Sequence, residues 1–138
     1  MKEIMSSDLR KKGIHASVYS FYLDCEQYSE KQQRQKLFKK LNELSTWNPD
    51  IILVNDDQAL NALISSRHPL AKSIPVVFMG VSYPNIPIIR KYPNIYLIGN
   101  PLPSPENRDT CTDGTHPSDL GYYFWAKNLE KKIIEILN

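Results

Sequence analysis

Near the end of the chain an aspartate stands three residues ahead of a histidine, in Asp113-Gly114-Thr115-His116, and Pro117 follows. A loop kinked at Gly114 lets the carboxylate fold back onto the imidazole. It would accept a hydrogen bond from one ring nitrogen and leave the other free to take a proton. That is how a base is oriented for acyl transfer. The competing reading of the same residues is local: Asp113 and His116 do no more than cap the helix that Ser118 is placed to open.

The longer string is more specific. Asp113-Gly114-Thr115-His116-Pro117-Ser118-Asp119-Leu120-Gly121, followed by an aromatic-rich amphipathic stretch, closely resembles the last block of SGNH (GDSL-type) esterases and lipases over about residues 92–138. The resemblance implies His116 as general base, Asp113 as its orienter, and ester or acetyl groups of a carbohydrate or lipid as substrate. The family's first block, a Gly-Asp-Ser after the first strand, has no counterpart, because no Asp-Ser pair occurs in the chain. Its nearest topological equivalent is Asp24-Cys25, which makes Cys25 the candidate nucleophile, a role a thiolate beside histidine can fill. The alternative is an ordinary buried or surface cysteine. The third block is matched in part by Val54-Asn55-Asp56, which makes Asn55 the candidate oxyanion donor; alternatively Asn55 or Asp56 caps the next helix. The second block has no match.

Residues 9–95 resemble a different family. Pro49-Asp50-Ile51-Ile52-Leu53-Val54-Asn55-Asp56-Asp57 and Ile74-Pro75-Val76-Val77-Phe78-Met79-Gly80-Val81-Ser82 are similar to the substrate-binding-protein-like sensor domain of bacterial hybrid histidine kinases. That resemblance implies a crevice at strand ends in which Asn55, Asp56, Asp57 and Ser82 hold a small polar ligand. Only one lobe's worth of residues is present. The seam between the two resemblances falls near 85–95. A natural fusion, a divergent minimal esterase-like domain and an engineered chimera all fit it.

These residues need a scaffold. Residues 15–23 are aromatic and β-branched, the composition of a strand. Ser29-Glu30-Lys31-Gln32 reads as a capping box, and Leu37, Phe38, Leu41 and Leu44 recur at helical spacing, so 29–46 is predicted helical. Residues 51–55 and 75–80 are continuous apolar runs, the pattern of strands covered on both faces. A helix with Leu60, Leu63 and Ile64 on one side joins them. One turn of helix near 88–90 and a strand at 95–98 follow. Residues 99–117 form a long loop, and such loops tend to be functional. The last helix, from about 118 to 137, is expected to bury Tyr122, Ala126, Leu129, Ile133 and Ile136. Alternating strands and helices predict a single α/β domain over 1–138. Its fold would be a three-layer αβα sandwich with a mostly parallel sheet of about four to five strands, flavodoxin-like or SGNH-like. Ligands bind such sheets beyond the carboxyl ends of the strands.

Composition narrows the function. The chain has 138 residues, 41% hydrophobic and 23% charged, with a formal charge of +2. A charge so small argues against nucleic acid as a partner. Two cysteines, Cys25 and Cys111, make no disulfide framework, and whether they pair is left open. His15 and His68 read as structural or solvent-facing. Three scattered histidines give no ligand spacing, so no metal and no cofactor are expected. No apolar run reaches membrane-spanning length. The polar stretch 1–13 lacks the core of a signal peptide, which places the chain in the cytoplasm as written, or outside it if it is part of a longer exported chain. Oligomeric state is not encoded. The leading expectation is an SGNH-like hydrolase domain, incomplete or inactive without its serine. The alternatives are a ligand-binding, sensor-like domain and a scaffold without activity.

Overall fold

The computed structural model describes residues 2–80, 85–97 and 118–138. The chain divides into two compact units, Met1–Tyr19 with Ile98–Asn138, and Ser20–Leu97.

In the first unit, helix α1 (Lys2–Lys11) packs against helix α6 (Asp119–Leu137). Leu9, Trp125, Ala126, Leu129 and Ile133 are buried. Ion pairs join the two helices. Asp8 meets Lys127 at 2.6 Å, and Lys12, just past the end of α1, meets the buried Glu130 at 2.8 Å. Gly13, at φ +78°, ends α1: its N–H donates to the Arg10 carbonyl and the Ile14 N–H to the Leu9 carbonyl, closing the last turn as a Schellman motif. Ser118 caps α6 by accepting from the Gly121 N–H at 3.2 Å. The stripe expected on α6 is corrected at one end, where Trp125 is buried and Tyr122 is 45% exposed.

The second unit holds helix α2 (Glu30–Ser45), strand β1 (Ile52–Asn55), helices α3 (Asp57–Ser66) and α4 (Leu70–Ser73), strand β2 (Val76–Met79), helix α5 (Ile86–Ile89) and strand β3 (Ile95–Leu97). The order in the sheet is β1-β2-β3 and both pairings are parallel, with Asn55 opposite Met79 and Phe78 opposite Leu97. Every residue of β2 is buried, as suits a central strand. Val76 and Phe78 share a core with Val54 of β1, Leu41 of α2, Leu60 and Leu63 of α3, and Ala71 of α4. The capping box of α2 forms: Ser29 Oγ accepts from the Gln32 N–H, and Gln32 Oε1 accepts from the Ser29 N–H at 3.0 Å.

The protein is therefore α/β with a parallel sheet, as the alternation of patterns predicts. Its described residues form three strands, rather than the four to five of a three-layer sandwich. The missing strand is 15–23, which has no regular structure. Val18, Tyr19 and Tyr22 in that stretch are 40–75% exposed. Strand propensity expresses a fit to a paired, half-buried surface, and this segment pairs with no strand among the described residues. No helix among the described residues is long and apolar enough to cross a membrane.

Candidate functional site

The carboxyl edge of the sheet is where β1 delivers Asn55, Asp56 and Asp57. Asn55 ends the strand with its side chain exposed, and its amide makes no hydrogen bond to another described residue. Asp56 turns the chain from strand to helix. Its N–H donates to the Met79 carbonyl at 3.1 Å, tying the end of β1 to the end of β2. Its side chain caps α3, with Oδ1 accepting from the Ala59 N–H at 2.8 Å. Its backbone stands at φ 82°, ψ 164°, a region that side chains other than hydrogen disfavour. Asp57 is the first residue of α3, where a negative charge is favoured by the helix dipole. Of the two readings of Asp56, capping is the one the geometry realises. Gly80, at φ 64°, ends β2 at the same edge.

Cys25 lies in the turn that enters α2, with no strand before it, so its likeness to a residue at the end of a first strand is lost. The Gln27 N–H closes that turn on the Asp24 carbonyl at 2.8 Å. Asp24, at φ 52°, pairs with Lys36 at 3.2 Å, and Lys36 stands 4.0 Å over the Tyr28 ring. Cys25 is a free thiol, and its Sγ donates to Gln33 Oε1 at 3.5 Å. Gln33 is itself buried, and its Nε2 donates to the Tyr28 carbonyl at 2.8 Å. Burial pushes the Cys25 pKa up, and the carboxylates of Asp56 and Asp24 push it the same way. Attack on a carbonyl requires a thiolate, and this surrounding disfavours it.

A groove of about 300 Å³ runs between α2, α3 and α5. It takes Glu30, Gln33 and Arg34 from the first turns of α2, and the side of α3 that runs from Gln58 and Asn61 to Ser65. Asn85, which caps α5, and Ile88 and Ile89 close its far side. The groove begins beside Gln58, in the first turn of α3 after the carboxyl end of β1, and runs along that helix to Ser65. The side chains of Glu30, Arg34, Gln58 and Asn61 make no hydrogen bond to other described residues. None of Asn55, Asp56 and Asp57 lines it. Sequence reasoning passed over Arg34 and Asn61 because polar residues on an amphipathic helix read as a solvated face. The one signal available was Gln33, a polar residue within the apolar side of α2. A second hollow, of about 350 Å³, is lined by Lys72, Lys91, Tyr92, Pro93 and Asn94. There the Asn94 amide nitrogen is already committed to the Ala71 and Ile74 carbonyls.

Asp113, His116 and Ser82 lie outside the described residues, as does Cys111. No group of three or more His, Cys, Asp or Glu side chains among the described residues is placed to hold a metal ion. The chain matches no family model, no curated protein and no solved structure.

Proposed function

We propose that the second unit binds a small polar ligand carrying an anionic group, in the groove at the carboxyl edge of its sheet. The observation that carries this reading is the groove itself, lined by the Arg34 guanidinium and the Gln58 and Asn61 amides, which have no hydrogen-bond partner among the described residues, with Glu30 on the same wall. A volume of about 300 Å³ is at the small end of ligand sites, so the ligand is of amino-acid or small dicarboxylate size. Arg34 would take the carboxylate in a two-pronged hydrogen bond, and Gln58 and Asn61 would orient the rest. The test is amide chemical-shift mapping with a panel of amino acids and dicarboxylic acids. Saturable shifts confined to α2, α3 and α5, lost in Arg34→Ala and weakened in Asn61→Ala, are expected. Shifts that survive both substitutions sink the proposal.

A second reading rests on the Asp113-to-Gly121 string, and the Ser118-capped helix that follows it favours this reading. In it His116 is the base of an SGNH-like acyl hydrolase, oriented by Asp113, with Asn55 as oxyanion donor and the larger three-layer sheet of that family. Burial and the neighbouring carboxylates disfavour the Cys25 thiolate that this scheme would need, which turns the reading toward water or Ser82 as the attacking group. The assay is hydrolysis of a nitrophenyl acetate. His116→Ala should lower the rate about a hundredfold, the contribution of a positioned base, while Cys25→Ala leaves it unchanged. Equal rates in His116→Ala and the native chain dispose of it. If neither binding nor hydrolysis is found, the third expectation, a scaffold without activity, stands.

A further inference from the structure

We propose that His68 is an acid-released latch that fastens α2 to the α3–α4 corner at the amino edge of the sheet. His68 is 3% exposed and both ring nitrogens are engaged. Nδ1 accepts from the Leu70 N–H at 3.1 Å, and Nε2 lies 2.8 Å from Asn42 Oδ1 on α2. A backbone N–H can only donate, so Nδ1 must be the unprotonated nitrogen. The ring is therefore neutral, with its one proton on Nε2 and given to Asn42.

The remaining contacts are neutral too. Phe38 of α2 meets the ring edge to face at 4.9 Å, and the His68 N–H donates to Ser66 Oγ at the end of α3. The groups that meet the ring are thus an amide and an aromatic ring from α2 and a backbone N–H from α4. Burial is what holds the imidazole below its ordinary pKa of 6.5, and no charged side chain contributes.

A second proton on the ring would turn Nδ1–H against the Leu70 N–H, two donors face to face, in a place with no anion to accept the charge. The ring can carry that proton only by leaving. Its departure frees the first turn of α4, whose Ala71 and Ile74 carbonyls hold Asn94, the residue that leads into β3. Acid therefore loosens one corner and the strand entry behind it, ahead of the rest of the unit.

Because the folded ring resists the proton, the unfolded chain takes it up first. The stability this contributes is whole above about pH 6.5, and it drains as the pH falls from there toward the folded-state pKa. The slope is at most about tenfold in the folding equilibrium per pH unit, that of a single proton. The test is amide hydrogen exchange of the full chain at pH 7.5 and pH 5.0, corrected for intrinsic rates. Protection at Leu70, Lys72, Ser73 and Ile74 should fall at the lower pH while that of Val77 and Phe78 in β2 holds. His68→Asn keeps a side-chain acceptor for the Leu70 N–H and cannot titrate, so in it the selective loss disappears. A ring titration followed by NMR in the unsubstituted protein is independent of whether the variant folds, and it should give a midpoint below 6.5. A midpoint at or above 6.5, or equal loss of protection throughout the unit, overturns the latch.

Discussion

At the amino edge of the sheet each strand begins on a hydrogen bond that fixes its entry. The Ile52 N–H meets the Pro75 carbonyl at 2.9 Å, the Val76 N–H meets the Asn94 carbonyl at 2.8 Å and the Ile95 N–H meets the Tyr92 carbonyl at 3.1 Å. Asn94 and His68 bind the corners behind these entries. At the carboxyl edge, Asp56 stands at φ 82° and Gly80 at φ 64°, and the amides and guanidinium of the neighbouring groove have no partner among the described residues. The same three strands thus begin on an edge fastened by these bonds, while β1 runs out into Asp56, whose backbone conformation non-glycine residues disfavour. Strain and uncommitted polar groups are what a site needs and what a scaffold avoids. The contrast is why the ligand is sought at one edge and the latch at the other.

The comparison holds only if both edges rest on one core. Phe78 is fully buried, in the middle of the central strand. Phe78→Ala should cost about 3–5 kcal/mol, the range for emptying a packed aromatic site. It should weaken ligand binding and latch protection together. Loss of one without the other, in a chemical unfolding series with hydrogen exchange, would show that the edges are independent. Asn94→Ala comes next. It removes two hydrogen bonds, of 2.8 and 2.7 Å, from buried carbonyls of α4. A loss of about 2 kcal/mol is expected from the missing bonds and the unmet acceptors. A urea midpoint unchanged by Asn94→Ala would mean that the amino edge is not fastened as described.

How legible was this in the sequence? β1 and β2 were, because residues buried on both faces leave unbroken apolar runs. The start of α2 was, because Ser29 and Gln32 satisfy each other locally. Helix α6 was, because its period is sustained and Ser118 precedes it. What failed was whatever depends on a partner far along the chain. Residues 15–23 have strand composition and no strand to pair with among the described residues. Helix α1 looked merely polar, since its buried Leu9 and its Asp8–Lys127 pair are completed by α6, more than a hundred positions away. Trp125 and Tyr122 share the apolar side of α6, and period alone could not say which is covered. At the candidate site, Asp56 was seen as a cap or a ligand group, and local geometry makes it a cap. Arg34 and Asn61 carried no signal, because a groove between helices is a property of packing. For His68 the sequence offers a structural or a solvent-facing role, and the ring takes the structural one, bonded to Asn42 of α2 and the Leu70 N–H of α4.

The smallest effect is the most telling about the open edge. Asp56 carries two opposing contributions, a side-chain cap that stabilises α3 and a backbone conformation that costs of order 1–3 kcal/mol for any residue but glycine. Asp56→Ala keeps the strain and loses the cap, so it should destabilise by about 1 kcal/mol. Asp56→Gly loses the same hydrogen bond but removes the strain, and a glycine cap is only a few tenths of a kcal/mol worse than aspartate. The greater freedom of glycine in the unfolded chain takes back roughly 0.5–1 kcal/mol. The net expectation is a Gly variant that ranges from about as stable as the native chain to about 2 kcal/mol more stable, and clearly more stable than the Ala variant. Urea unfolding of both at one pH makes the measurement. If Gly and Ala fall together, Asp56 is held by its cap and not strained. The carboxyl edge would then be as settled as the amino edge, and its claim to be the binding edge would rest on the groove alone.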